Sequence, residues 1–329
     1  MKAKKVVVIG GGTGTFTILN GLRKYPNLDI SAVVSMMDSG GSNRVIRDEF
    51  GLLPTSDIRQ CILALASNDS DKTIRDLFNY RYTQGTGISG MTFGNLFMAA
   101  LTDILKSQKD AISETCRILD VKGRVLPVTF DNSQLVATYD NGVQVLGEHF
   151  IDEPNKKTLY HRITNLEVFP HAKVNSEAAK AISEADFIIL GPGDLYTSIL
   201  CNIVVDGVAK HIASSKAKKI YVANIMTRFG QTDKFGLKEH IEEVEKYLGT
   251  GIIDYCLFNK IEKISTKAIK WYKDNDAEPV VDNYKGRIKV IRKNLVSNTF
   301  YKQSKSDRLV RSLIRHDSSK LAKAIVELL

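Results

Sequence analysis

Three times in this chain a short run of strand-forming residues ends directly in a glycine loop. Val6-Val7-Val8-Ile9 runs into Gly10, Gly11, Gly12, Thr13 and Gly14. The segment Ile30–Ser35 runs into Met36-Met37-Asp38-Ser39-Gly40-Gly41-Ser42, and Phe187-Ile188-Ile189-Leu190 into Gly191-Pro192-Gly193-Asp194. A continuous apolar run is what a parallel strand covered on both faces requires. After the first loop, Ile18, Leu19 and Leu22 recur at helical spacing, so a helix starts within or just after the glycines. Bare N–H groups at the positive end of a helix suit a phosphate. The third loop leads into Tyr196, Thr197 and Ser198, which add hydroxyl donors. Glycine loops at neighbouring strand ends imply a nucleotide lying across the carboxyl edge of a sheet; the plainer reading is a set of tight turns with no ligand.

The first loop departs from the dinucleotide fingerprint G-x-G-x-x-G, because Thr15 stands at the third glycine position. Asp38 stands where a dehydrogenase carries its ribose acid, yet Gly-Gly-Ser follows it and reads as a second anion cradle. An NAD-dependent dehydrogenase therefore ranks below other nucleotide binders.

Alternation of strands and helices continues to the C-terminus. It predicts an α/β fold, a mostly parallel sheet with helices on both faces. We expect a single domain over residues 1–329 with an antiparallel β insertion at about 122–168. In that insertion Arg124–Val128, Gln134–Tyr139 and Gln144–Glu148 read as strands, with Asp140-Asn141-Gly142 as a hairpin turn. A helix is expected over Ser70–Gln84, and another from Met91-Thr92-Phe93-Gly94-Asn95 to about Leu105. Asn95 is a polar outlier on that apolar helix, suited to bonding a buried loop or reaching a ligand. Asp57 reads as a helix cap or a ligand contact. His316, between Arg315 and Asp317, is a candidate for lining the site, whereas His149, His161, His171, His211 and His240 share no metal-like spacing.

Composition narrows the class. With 43% hydrophobic and 25% charged residues the chain is ordinary for a globular protein. No apolar run approaches the ~18 residues of a membrane span. The N-terminus enters a strand at once, without a signal peptide. Cys61, Cys116, Cys201 and Cys256 read as buried free thiols, consistent with a cytoplasmic location. The formal charge of +9 gathers partly at Lys285, Arg287, Lys289, Arg292 and Lys293, in a segment that alternates like a strand. No nucleic-acid motif accompanies it, so a solvated basic face or attraction for a small anion is expected.

Taken in order, GGGTG, SGGS, GN, GPG-LYTS, N-MT and LIRHD resemble the gluconeogenesis factor / 2-phospho-L-lactate transferase superfamily, closest to its bacterial gluconeogenesis-factor branch. The likeness spans nearly the whole chain. It implies a Rossmann-like nucleotide-binding fold in the cytoplasm, usually a homodimer; from the residues themselves, neither nucleic acid nor membrane is expected as a partner. The transferase branch joins a guanine-nucleotide-activated phospholactate to a deazaflavin alcohol with magnesium. The bacterial branch resembles binders of UDP-sugars, notably UDP-N-acetylglucosamine, connected with cell shape and peptidoglycan precursor supply.

By this resemblance Gly10 to Gly14 form the first phosphate loop, and Asp38 and Asp57 match acidic positions near the metal. Asn95 matches the Gly-Asn motif, and Gly191, Gly193, Asp194, Tyr196, Thr197 and Ser198 the second phosphate or sugar loop. Gly40, Gly41, Ser42, Asn224 and Thr227 join the nucleotide set, while Tyr272 and Arg315 match positions that contact the UDP-sugar. A tyrosine ring can cover a uracil, and an arginine fork suits a pyrophosphate. The chain also departs from the family pattern. An acidic pair before Gly-Gly-Ser is here Asp38-Ser39, Gly-Arg-Leu-Arg is Arg44-Val45-Ile46-Arg47, Pro-Gly-Asp-Ile-Arg is Thr55-Ser56-Asp57-Ile58-Arg59, and a usual histidine is Met91. Loss of a carboxylate weakens magnesium binding. A nucleotide-sugar sensor is therefore the first expectation and a magnesium-dependent phosphotransferase the alternative.

Overall fold

A computed structural model describes residues 3–67, 72–155, 157–260, 266–297 and 313–329. In chain order the first half holds β1 (Lys4–Gly10), α1 (Gly12–Leu22), β2 (Leu28–Val34), α2 (Gly41–Phe50), α3 (Ser56–Leu65), α4 (Lys72–Asn79), α5 (Phe93–Leu105), α6 (Gln108–Ile118), β3 (Arg124–Pro127), β4 (Gln134–Tyr139), β5 (Gln144–Leu146) and α7 (Glu148–Asp152). It continues with β6 (Ile163–Phe169), α8 (Ser176–Ser183), β7 (Phe187–Leu190), a π-helical turn (Leu195–Leu200), α9 (Cys201–Ile203), α10 (Val208–Ser214), β8 (Lys218–Val222), α11 (Leu237–Leu248), β9 (Tyr255–Asn259), α12 (Thr266–Lys273), β10 (Lys289–Lys293) and α13 (Ser318–Val326).

Seven strands form a sheet in the order β10-β9-β8-β7-β1-β2-β3, and every neighbouring pair is parallel. Successive side chains of a strand point to opposite faces. Accordingly Val7 and Ile9 enter the core shared with α8, α10 and α11, while Val6 and Val8 enter the core shared with α1, α3 and α13. All four are at most 2% exposed, which is why the run carries no polar residue. Burial of each such side chain stabilises the fold by roughly 1.5–3 kcal/mol.

Strand order reverses at β1. The chain leaves β1 toward β2 on one side, and its later strands are added on the other side beginning with β7. Such a switch point opens a crevice outside the carboxyl ends of the strands, because the two flanking loops diverge. Because the sheet is parallel, the ends of β1, β2, β7 and β8 share that edge.

A second, three-stranded antiparallel sheet has the order β5-β4-β6. Its β4–β5 hairpin closes through Asn141-Gly142, with the Gly142 N–H donating to the Tyr139 carbonyl at 2.9 Å. Two expectations are corrected. Arg124–Val128 does not belong to this sheet: β3 pairs in parallel with β2 at the edge of the large one. The physical reason is that Val125 and Leu126 are consecutive and both buried, on opposite faces, so the segment lacks a solvated side. Pro127 is tolerated because an edge strand needs no ladder donor there. Further on, the strand ends at Leu146, and Glu148 starts a helix after Gly147 at φ 102°.

The helix expected over Ser70–Gln84 stops at Asn79, and Ser70 lies outside the described residues. Its remainder becomes a loop pinned by the Arg81–Thr92 bridge. Basic residues of the C-terminal segment are largely paired with acids, Arg292 with Asp282 and Arg287 with Glu245. Cys61, Cys201 and Cys256 are buried free thiols, and Cys116 is half-buried. No helix among the described residues is long and apolar enough to cross a membrane.

Candidate functional site

The carboxyl ends of β1, β2, β7 and β8 surround a cleft of about 840 Å³. Its floor is made by the first and third glycine loops. Gly11 precedes α1 in extended conformation and, being glycine, offers no side-chain cap to the first-turn N–H groups. Backbone packing requires small residues here. A Cβ on Gly11 would stand 2.3 Å from Asp57 Oδ2, and one on Gly14 would stand 2.1 Å from the Pro192 carbonyl oxygen. Gly193 in turn lies against Ser198 and the Gly11 carbonyl. Asn224, at the end of β8, donates its Nδ2 hydrogen to the Gly193 carbonyl at 2.8 Å.

On the β2 side, Asp38 folds the second loop back on itself. Its Oδ1 accepts from the Gly40 N–H at 2.9 Å, and its Oδ2 accepts from Asn43 Nδ2. Behind Asn43 runs a buried polar chain. The Ser56 hydroxyl donates to Asn43 Oδ1 at 2.7 Å, Asn95 Nδ2 donates to Ser56 Oγ at 3.0 Å, and Arg59 Nε donates to Asn95 Oδ1 at 3.0 Å. Asn95 is fully buried. It is the brace that fixes α2 and α3 to α5, behind the cleft wall.

Helix α7 crosses in front. The His149 N–H donates to Ser39 Oγ at 3.0 Å, and Arg228 donates to Asp152 Oδ2 at 2.8 Å. The insertion is thus tied at one end to the loop after β2 and at the other to the loop after β8. Between these ties Glu148 hydrogen-bonds Asp38. Burial pushes both carboxyls above the ordinary range; for Glu148 the neighbouring Asp38, Asp152 and Asp57 charges add to it, while for Asp38 the Gly40 and Asn43 bonds oppose it.

Ile314, Arg315 and His316 close the fourth side. The Ile314 N–H donates to the Tyr272 hydroxyl at 3.0 Å, and Asp317 caps α13 by accepting from the Ser319 and Lys320 N–H groups. His316 Nε2 is buried with no hydrogen-bond partner among the described residues, and burial lowers its pKa to about 4.

With this geometry in place, comparison with known proteins is informative. The family model for 2-phospho-L-lactate transferase CofD matches residues 6–299. The chain belongs to this family. Within it, the chain is 40% identical over 334 residues to a putative gluconeogenesis factor of Thermoanaerobacterium thermosulfurigenes, covering 100% of this chain and 98% of the relative. It is 35% identical over 329 residues to the gluconeogenesis factor of Bacillus subtilis, covering 99% and 98%. A crystal structure of a UPF0052 family member from Bacillus halodurans superposes with a TM-score of 0.89 at 34% identity, covering 99% of both chains.

Family membership gives a frame for placing the expected site residues. Gly11, Gly12, Thr13, Gly14, Asp38, Gly40, Gly41, Asp57, Gly193, Asp194, Thr197, Ser198, Asn224, Thr227, Arg315 and His316 all line the cleft. Five others are placed elsewhere. Gly10 and Gly191 are buried at the strand ends, and Asn95 serves as the brace just described. Tyr196 is fully buried on the inner side of the π-helical turn near Glu243 and Tyr247, because that turn sends Thr197 and Ser198 outward instead. Tyr272 is 4% exposed beneath Ile314, packed with Ile225, Met226 and Ala268. The side chain of Ser42 lies outside the described part of the structure.

Sequence reasoning missed Glu148, Asp152 and Arg228, which line the same cleft. Two of them lie in the insertion, where nothing in the local pattern marks them. Arg228 had one signal, its place directly after Asn224 and Thr227 at a strand end.

The two acidic residues expected near a metal already make contacts within the protein. Both Asp38 oxygens accept bonds from Gly40 and Asn43, and Asp57 is pressed against Gly11. No three His, Cys, Asp or Glu side chains converge on one point among the described residues, so a magnesium ion held here would draw most of its oxygens from water and ligand phosphates.

Proposed function

We propose that this protein is a nucleotide-sugar-binding regulatory protein of the gluconeogenesis-factor type, acting as a homodimer in the cytoplasm. Its ligand is UDP-N-acetylglucosamine or a close UDP-sugar, which links it to peptidoglycan precursor supply and cell shape. One observation carries the reading: the first and third glycine loops meet at the β1/β7 switch point beside the N-terminus of α1, which has no side-chain cap from Gly11. A diphosphate seated there meets backbone N–H groups and the Thr13, Thr197 and Ser198 hydroxyls, with Arg315 on the opposite wall. Depth also favours a nucleotide sugar, since about 840 Å³ is far more than a bare diphosphate fills.

Calorimetric titration with UDP-N-acetylglucosamine, UDP-glucose, GDP and NAD tests the reading. Heat from a UDP-sugar with weaker or no response to NAD is expected, and silence with both UDP-sugars removes it. Transferase chemistry is the alternative, in which Asp38, each of whose oxygens accepts one hydrogen bond within the loop, would share a magnesium ion with water and phosphate oxygens. Magnesium-dependent release of a nucleoside monophosphate from an activated phospho-acid, abolished by Asp38→Asn, would favour that alternative.

A further inference from the structure

We infer that Arg228 forms a separate phosphate-recognition subsite, pairing with the second phosphate of the ligand while Asp152 of the insertion holds its guanidinium in place. This rests on the nucleotide-sugar reading and deepens it. Arg228 follows β8, on the far side of the third glycine loop from α1. Its strand is two positions from β1, roughly 10 Å at the usual strand spacing. The strand before Arg228 neighbours β7, whose loop carries Gly193, so the phosphate lying over Gly193 is the one placed for this arginine.

The hydrogen bonds are asymmetric. All those that Arg228's side chain makes run through Nη2, to Asp152 Oδ2 at 2.8 Å and to the Asp152 carbonyl at 3.4 Å. Its Nε and Nη1 hydrogens have no acceptor among the described residues, although the side chain is only 27% exposed and lines the cleft. Asp152 is 23% exposed and its other oxygen takes Gln231 Nε2 at 3.1 Å. The carboxylate is therefore held from both sides and fixes one edge of the guanidinium. The opposite edge presents donors in the fork that matches a phosphate.

Charge points the same way. Asp38, Asp57, Glu148, Asp152 and Asp194 all face the cleft, so a diphosphate needs fixed cations to enter. Arg59 is committed to Asn95, Asn79 and the Phe78 carbonyl. Arg228, beside Arg315 and Arg81 in the lining, is held on one edge by Asp152 and keeps its Nε and Nη1 donors without an acceptor among the described residues. A purely structural ion pair, clamping the insertion to the rim, would make the same Asp152 contact but would not discriminate among ligands.

That difference sets the experiment. Wild type, Arg228→Gln, Arg228→Lys and Asp152→Asn are titrated with UMP, UDP and UDP-N-acetylglucosamine, with thermal melts to establish folding. Wild type is expected to gain affinity from UMP to UDP. Arg228→Gln should lower affinity for UDP and UDP-N-acetylglucosamine at least tenfold while changing UMP affinity less than threefold. Arg228→Lys should fall between the two, because it keeps the charge and loses the fork, and Asp152→Asn should also weaken the two diphosphates selectively. Equal loss for all three ligands in Arg228→Gln and Arg228→Lys, or no loss in either, overturns the subsite. If wild type binds UDP-N-acetylglucosamine but neither Arg228 variant changes it, the subsite falls and the function stands; if wild type binds no uridine ligand, both fall.

Discussion

Gly14 and Pro192 pack so closely that a single added methyl carbon on Gly14 would stand 2.1 Å from the Pro192 carbonyl oxygen. Gly14 lies in the first turn of α1, directly after β1, and Pro192 in the loop after β7, so this contact closes the switch point of the sheet. This part of the cleft floor depends on Gly14 having no side chain where it meets the Pro192 backbone carbonyl. A clash of Cβ with backbone cannot be relieved by a rotamer change, so Gly14→Ala must push the loops apart. We expect a loss of about 1–3 kcal/mol in urea unfolding and at least tenfold weaker UDP-sugar binding. Gly41→Ala is the control: it has open space around it but a φ of 50°, so it costs about 1–2 kcal/mol from the left-handed backbone alone.

Gly21 separates stability from binding. A Cβ there would meet the Ser318 carbonyl at 2.2 Å and Ala322 Cβ at 2.8 Å, at the contact between α1 and α13. Gly21→Ala should loosen the C-terminal helix and lower unfolding stability by about 1–3 kcal/mol. Nucleotide affinity of the folded fraction should stay within about threefold of wild type, which calorimetry below the melting transition measures.

Asn95 holds Arg59, Ser56 and Asn43 together in a region sealed from water. Gly94 clears the way for that arginine, since a Cβ there would lie 2.5 Å from Arg59 Cδ. In Asn95→Ala the Arg59 Nε–H keeps its burial and loses its acceptor. The expected cost is about 1–3 kcal/mol, read in urea unfolding, with UDP-sugar affinity falling less than in Gly14→Ala.

His316 gives a pH signature. Burial lowers its pKa to about 4, below the ordinary value near 6.5. As pH falls through about 6.5 the unfolded chain takes up a proton that the folded chain refuses until about 4. The contribution is therefore fully present above about pH 6.5 and is lost as pH drops toward 4. With partial exposure of the residue screening the effect, the difference is about 1–3 kcal/mol. His316→Gln should flatten this part of the stability profile, measured by urea unfolding at several pH values.

The parts legible in the sequence are those that a backbone rule dictates. Val6–Ile9 had to be a doubly covered strand, and phosphate-type loops need glycines wherever backbone approaches backbone, as at Gly14 and Gly193. What stayed hidden depends on distant segments meeting. Glu148 and Asp152 acquire their places only when α7 crosses the rim, and single residues joined by tertiary packing leave no spacing to read. Ser39, which stands where the family resemblance places a second carboxylate, instead anchors His149, while Glu148 brings a carboxyl to Asp38 from the insertion. Tyr196 turns inward, and a hydroxyl-rich run does not reveal which residues a π-helical turn points that way.

The most direct test of the central claim is a crystal structure of the protein soaked with UDP-N-acetylglucosamine. The account predicts density for a diphosphate between Gly12 and Gly193, within hydrogen-bonding distance of the first-turn N–H groups of α1. Density for the diphosphate outside this cleft, or a ligand in the cleft whose phosphates point away from both glycine loops, would contradict it.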